Sequence, residues 1–447
     1  MELFRKNGYV IRVYNLLQPE LSDSWNCMID LGGDTLMAQV LTDVIIANTK
    51  GDGKGDHFWD NGEANLLKSL ILYVDLDTTR QPEEKNLPAV YQMLTQHTEK
   101  ELTVLFDRLP LNHPARAPYS LFSQASDKVR AGIVLGLGTR LQVLQSEAVR
   151  QITRKSDIDL ALPGKTKCAY YIILDDQNSS LEFLSSLFFA FLFIKLVRYA
   201  DSTPEQRCKI PVNIILEEAN NIGVIPDFSR RLSTIRSRSL QVLLCCQNLP
   251  QIQNRYPNNL WAELIGNADT QLMLGCTDDV TAEYFSARSG DMTVEVNSTM
   301  TVRQSIAVAQ MIPYYRYSEG LGRRRLLTQD EVLRLPNDEL LIIIRGQKVL
   351  RAKKFDFTGH PYAKECVKVS IRDYRPASQT PAPQAEEHSQ EEAPSQEKKP
   401  IPAEETAPTD PTPPPKSPDP APTPKKQDGP KRRKPTLYES SSPPSDF

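Results

Sequence analysis

Apolar positions follow two different rhythms along this chain. From Cys168 onward, short apolar runs alternate with stretches at helical spacing. CAYYIILDD (168–176), VNIILEE (212–218), LQVLLCCQ (240–247), DTQLMLGC (269–276) and LLIIIRG (340–346) read as strands. LEFLSSLFFAFLFIKLVRYA (181–200), DFSRRLSTIRSRS (227–239), LPQIQNRY (249–256), DDVTAEYFSARS (278–289) and LTQDEVLRL (327–335) read as helices. Continuous apolar strands separated by helices predict a parallel sheet covered on both faces. Upstream, YVIRVYNLL (9–17) predicts another strand, SDSWN (22–26) a loop with capping residues, and 34–48 a helix. From 57 to about 149 the rhythm is helical throughout, with no alternating strand, which predicts one all-helical block.

Composition changes the picture at the C-terminus. Residues 376–447 hold 19 of the 34 prolines, and their large apolar side chains are Ile401, Leu437, Tyr438 and Phe447. That is too little apolar surface to offset the ordering entropy, so a disordered tail is expected. PTPPPKSPDPAPTP suggests a polyproline-II stretch. The tail's basic KRRK (431–434) reads either as a solvated charge run or as a weak attractor of nucleic acid or anionic lipid. The tail carries nine basic and twelve acidic residues, so it accounts for the net charge of −3 and leaves the body balanced at 44 against 44. The charge of the body therefore gives no global sign of nucleic-acid binding. Seven scattered cysteines without a C-x-x-C pair favour a reducing compartment and argue against a zinc site. The most apolar stretch, 183–194, lies between Glu182 and Lys195 and is shorter than the roughly 20 residues a bilayer span needs. A helix packed on a sheet is the expectation there.

The candidate chemistry lies where VNIILEE ends. Two adjacent carboxylates, Glu217 and Glu218, close an apolar strand, and ligands of parallel sheets bind outside the strands' carboxyl ends. In a nucleotide-cleaving site the first acid orients Mg²⁺ and the second polarises the attacking water. The plainer alternative is a strand running into an acidic turn. The next apolar strand ends in Gln247, which has an amide suited to water or a terminal phosphate. Between them, STIRSRS offers Arg236 and Arg238, either as solvent-facing side chains or as a charge donated to a neighbouring subunit's site. The phosphate loop G-x-x-x-x-G-K-[ST] is absent from the sequence. Its nearest mimic, DLALPGKT (159–166), has Asp159 in place of the first glycine and precedes a strand, so it reads as a turn. GDGKGD (51–56) has Gly55 after Lys54 where a hydroxyl residue belongs, and LGLGTR (135–140) lies inside a helical region.

SDSWN, HFWDN (57–61), IILEEANNIGVIPDF (214–228), STIRSR, CCQNLPQIQNRYP (245–257), GNADTQLMLGC (266–276) and RRRLLTQDEVLRLP (323–336) together resemble TraG/TraD-type coupling proteins, the DNA-transfer ATPases of type IV secretion. The form carried by integrative elements of Gram-positive bacteria is the nearest in kind. The likeness spans roughly residues 1–360. It implies a RecA-like P-loop NTPase-type sheet (1–57 and 151–375) lacking the P-loop segment, with an inserted all-alpha domain (58–150) that helps recognise the transfer substrate. It implies ATP and Mg²⁺ as cofactors. Glu217 then falls at the Walker B position and holds Mg²⁺ through water, Glu218 falls on the catalytic glutamate, Gln247 on the phosphate-sensing glutamine and Arg236 on the arginine finger, with Arg238 as its competitor. The implied partners are a relaxase-bound single strand, secretion-channel proteins and five further copies in a hexameric ring at the cytoplasmic face of the plasma membrane. The family's membrane helices and phosphate loop would lie upstream of Met1. Glu217 stands where aspartate is usual, and its extra methylene moves the carboxylate about 1.5 Å farther out. Two other readings remain: a non-catalytic interaction module for relaxosome or channel partners, and an unrelated α/β enzyme using Glu217 and Glu218.

Overall fold

The computed structural model describes residues 1–49, 57–175, 177–302 and 314–377. The GDGKGD loop and the tail from residue 378 with its KRRK cluster lie outside the described residues. A short helix α1 (Glu2–Lys6) leads into β1 (Val10–Asn15), and α2 (Thr35–Asn48) follows. Asp34 caps α2 by accepting from the Leu36 and Met37 amides, which satisfies donors left free in the first turn. The helical block is α3 (His57–Leu76), α4 (Leu87–Gln96), α5 (Glu99–Asp107), α6 (Arg116–Ser123), α7 (Asp127–Arg140) and α8 (Glu147–Arg154), and no strand interrupts it among the described residues.

After the one-turn α9 (Leu162–Lys165) come β2 (Cys168–Ile173), α10 (Glu182–Ser202), β3 (Val212–Leu216), α11 (Phe228–Ile235), β4 (Leu240–Leu244), α12 (Leu249–Arg255), α13 (Leu260–Gly266), β5 (Thr270–Met273) and α14 (Asp279–Ser289). The last elements are β6 (Asp291–Val302), β7 (Tyr314–Arg325), α15 (Gln329–Leu333), β8 (Glu339–Ile344) and β9 (Leu350–Lys353). Two pairs are parallel as the alternating pattern suggests: β1 with β2, and β3 with β4. The later strands differ. β8 pairs antiparallel with both β5 and β9, and β6 and β7 form a long antiparallel ribbon that the sequence reading did not find.

The core joins the helical block to the β1–β2 region. Tyr14 of β1 stacks on Phe188 of α10 at 5.2 Å between centroids, and Trp25 meets Phe188 and Phe191 edge-on at 5.3 and 5.8 Å. α10 extends beyond the expected apolar stretch to 21 residues and is long and apolar enough to cross a membrane. Its most apolar window is 67% buried inside the fold, and burying each of its core phenylalanines contributes roughly 1.5–3 kcal/mol.

SDSWN is a loop, but a buried one. Asp23 and Asn26 are fully buried and their side chains bond backbone groups of distant segments. LGLGTR lies in α7 and serves packing: a Cβ on Gly136 would come within 2.1 Å of Glu63 Oε1 on α3. One turn on, Arg140 pairs with Asp60 at 2.6 Å and with Glu63.

Candidate functional site

β3 presents one face to the core. Val212, Ile214 and Leu216 are buried, while Asn213 and Ile215 are exposed. Its ladder with β4 runs from Val212↔Leu240 to Leu216↔Leu244 and continues through Cys245 N–H to Leu216 O at 3.0 Å. Strict alternation would point Glu218 toward the core. It does not, because Glu218 takes left-handed backbone angles (φ 53°, ψ 50°), a conformation that costs a glutamate about 1–2 kcal/mol. Both acids are therefore exposed at the strand's C-terminal end.

The structure brings Glu218 and Gln247 together. Gln247 Nε2 donates to Glu218 Oε2 at 3.1 Å and lies 3.4 Å from Oε1. Below them, loop 219–225 closes over apolar Leu216, Ile222, Phe228 and Leu244, which line a cavity of about 10 Å³. The thiol of Cys245 is held above its ordinary range, first by burial and then by the negative charge of Glu217.

The arginines sit apart from this pair. Arg236 ends α11 with its side chain 82% exposed, and it pairs with Asp269 at 3.0 Å. Arg238 is 25% exposed and tied into its own domain: its Nε donates to Asp201 at 2.8 Å and its Nη1 to Thr234 O at 2.8 Å. Of the two, Arg236 is the one that projects from the surface.

Sequence reading missed the residues that support the pair. Gln251 Nε2 donates to Gln247 Oε1 at 3.2 Å, Asn220 Nδ2 donates to Gln251 Oε1 at 2.6 Å, and Arg255 Nη2 donates to Asn220 O at 2.5 Å. The usable signal was the cap: Asn248 accepts from the Gln251 amide and starts the helix whose first turn carries Gln251 back to Gln247, the residue before the cap.

Two exposed carboxylates are hard oxygen donors suited to Mg²⁺, which commonly takes one or two protein carboxylates and completes its shell from water and phosphates. No group of three or more His, Cys, Asp or Glu side chains that would cage a metal comes together among the described residues. The donor set therefore fits a metal that arrives with a nucleotide. The phosphate end has no cradle at the mimic DLALPGKT. It forms the single turn α9, Lys165 is paired with Asp159 at 3.0 Å, and Gly164 is buried against Cys208 and Tyr199.

A family model described as "Type IV secretory system Conjugative DNA transfer" matches residues 2–380. The chain is similar to Protein VirD4 of Rhizobium radiobacter and of Rhizobium rhizogenes, each 23% identical over 308 and 305 residues respectively, covering 68% of this chain and 43% of each relative. It thus spans less than half the length of these curated relatives. Among solved structures it is similar to the bacterial conjugative coupling protein TrwBdeltaN70 in its unbound form, with a TM-score of 0.57 at 14% identity, covering 77% of this chain and 73% of that one. TrwB in complex with the ATP analogue ADPNP, and with ADP and Mg²⁺, matches with TM-scores of 0.56 at 14% identity and the same coverage. At that identity the likeness establishes the fold, a RecA-like NTPase with a helical domain. With five sixths of its length matched in order, the chain belongs to the type IV secretory conjugative DNA-transfer family, the coupling proteins of the TraG/TraD/VirD4 kind.

Proposed function

We propose that this chain is the cytosolic motor part of a conjugative coupling protein, which uses ATP hydrolysis to pass a relaxase-bound single strand to the secretion channel at the cytoplasmic face of the plasma membrane. The observation that carries the reading is the Glu218–Gln247 contact at the C-terminal ends of two paired parallel strands. Mg²⁺ bound with ATP would neutralise charge on the transferring phosphate. Glu217 would hold that ion through water, and Glu218 would take the proton of the attacking water. Gln247 turns its amide to the terminal phosphate. Arg236, exposed on the surface in its pair with Asp269, reaches the site of the next subunit in a hexamer. Residues 58–150 recognise the transferred complex.

The lack of G-x-x-x-x-G-K-[ST] favours one competing reading, a module that binds relaxosome or channel partners without turning over nucleotide. Measuring ATP binding and DNA-stimulated hydrolysis for this chain and for Glu218→Gln separates the two. Loss of turnover in Glu218→Gln supports the motor. Equal turnover in both proteins removes Glu218 from the mechanism.

A further inference from the structure

The candidate acid pair is attached to the rest of the domain by a chain of side-chain amides with a single direction. Asn220 donates to Gln251, Gln251 to Gln247, and Gln247 to Glu218, at 2.6, 3.2 and 3.1 Å. A carboxylate only accepts, so Glu218 orients every amide in the series. At the far end Arg255, which only donates, bonds Asn220 O at 2.5 Å and pairs with Glu182 at 3.1 Å on the first turn of α10.

Loop 219–225 is also gripped from a second side. Asn48, the last residue of α2, accepts from the Val224 amide at 2.5 Å and donates to Val224 O at 2.9 Å and Ser186 Oγ at 3.1 Å. Ser186 donates to the same Val224 carbonyl, and Ser185 donates to Ile222 O at 2.7 Å. The grip needs Gly223, whose φ is +89° and where a Cβ would lie 2.5 Å from Asn48 Oδ1. Asn48 is also positioned at a junction: the next helix among the described residues is α3, which opens the helical block at His57.

We propose that Gln251, Asn220, Arg255 and Asn48 are positioning residues that make loop 219–225 the mechanical link between the Glu218–Gln247 pair and the root of the helical block. The proposal rests on the motor reading above. Its physical basis is that the Gln247 amide is oriented from both ends in this state. Its donor is engaged by Glu218 and its acceptor by Gln251. A terminal phosphate that draws the Gln247 amide toward itself turns it away from Glu218 and withdraws the acceptor that Gln251 uses. Gln251 then loses its orientation toward Asn220, and the loop changes its hold. Asn48 bonds both the N–H and the C=O of Val224, so a shift of the loop is a shift at the end of α2. The proposed link thus alternates between the hydrogen-bonding arrangement seen here and one with the Gln247 amide turned, which is the kind of two-state element that coupling between sites requires.

Hydrogen exchange followed by mass spectrometry on the full 447-residue chain tests the link without needing turnover. Gln251→Ala cuts both of its amide bonds, and exchange is expected to rise by about tenfold in residues 219–225 and also in 44–49. Gln251→Glu keeps the acceptor for Asn220 and loses only the donation to Gln247, so exchange in both segments is expected to return toward the parent while the Glu218–Gln247 pair stays loosened. Asn48→Ala is expected to free 219–225 and leave α12 unchanged. A change confined to residues 247–256 in Gln251→Ala overturns the proposal, as does equal exchange in the Ala and Glu variants. The two claims separate cleanly. If Glu218→Gln turns over ATP like the parent while Gln251→Ala loosens 44–49, the motor reading fails and the link stands. If turnover depends on Glu218 while 44–49 is indifferent to Gln251, the link fails and the motor reading stands.

Discussion

Asp23 offers the most direct test of how the SDSWN loop works. Its carboxylate is fully buried and accepts three hydrogen bonds: from the Val13 amide at 2.8 Å, the Tyr374 hydroxyl at 2.5 Å and the Ala377 amide at 2.7 Å. One acid thus fastens β1 to a segment some 350 residues later, and Tyr374 packs there against Ile11 and Val13. Burial and the adjacent Asp23 both push the Tyr374 hydroxyl far above its ordinary pKa, so it remains a donor at any working pH. Bonds to a charged acceptor contribute about 1.5–3 kcal/mol each, and removing the acceptor strands two backbone donors in a dry site. Not all three losses add, because the C-terminal segment can swing into water and rehydrate. Asp23→Ala is therefore expected to cost about 3–5 kcal/mol in urea unfolding. Tyr374→Phe, which removes one donor and leaves the ring, is expected to cost about 1–2 kcal/mol. Limited proteolysis gives the spatial check: Asp23→Ala speeds tryptic cleavage after Arg372 while β1 stays protected. A loss below about 1 kcal/mol in Asp23→Ala, with unchanged cleavage, would refute the claim that this acid joins the two ends of the fold.

Four further outcomes are expected. Glu218→Gly relieves the left-handed backbone, so it should unfold no more easily than the parent, up to about 1 kcal/mol less easily, while any nucleotide turnover is lost; urea melts and phosphate release read the two effects. Gly223→Ala places a methyl against Asn48 and the Glu182 carbonyl at a φ of +89°, and should cost about 2 kcal/mol or more in the same melts. Arg236→Ala should leave stability within about 0.5 kcal/mol of the parent, since its pair is exposed, yet lower ring-dependent turnover about a thousandfold, whereas Arg238→Ala should lower stability first. Burial raises the carboxyl of Glu63 above its ordinary value despite Arg140. The folded state therefore holds that proton more tightly than the unfolded chain, so Glu63 contributes most below the ordinary carboxylate pKa and less as pH rises through the raised value. Subtracting Glu63→Gln from the parent in unfolding titrations between about pH 4 and pH 8 should isolate a stability that falls with rising pH, and a flat difference contradicts it.

The parts of this fold that were legible in the sequence are those in which one side-chain property repeats. β1, β3, β4 and α10 are apolar runs that each turn at least one face to the core, and the C-terminal ends of two adjacent parallel strands bring Glu218 and Gln247 to the same edge. Pairing direction was not legible. An apolar run such as LLIIIRG has the same composition whether its partner runs with it or against it, and β8 is antiparallel to β5 because of where the chain returns. The β6–β7 ribbon escaped because serines, threonines, glycines and arginines dilute its alternation, giving DMTVEVNSTMTV opposite YYRYSEGLGRRR. SDSWN is the loop its capping residues suggest, and it is buried. Its polar side chains supply the hydrogen bonds that let backbone lie inside. Gln251, Asn220 and Arg255 carried no periodic signal because they act as individual donors and acceptors, and only their placement in space relates them.

Glu218 makes the relation between strain and use concrete. In β3 the odd positions face outward and the even positions face the core, so two consecutive acids on an ideal strand would leave one carboxylate buried among Ile214, Leu216 and Ile222. An ionised group in such a place is costly unless paired. The chain avoids that cost by breaking the alternation at Glu218 itself. The left-handed turn is stabilised where it occurs: Ala219 N–H donates to Cys245 O at 2.9 Å and Asn221 N–H donates to Glu218 O at 2.8 Å. A glycine would take this turn with no strain, and an alanine would take it with no charge. That a glutamate occupies it, within hydrogen-bond reach of the Gln247 amide three residues beyond the neighbouring strand, is the strongest physical reason to regard this turn as built for its side chain.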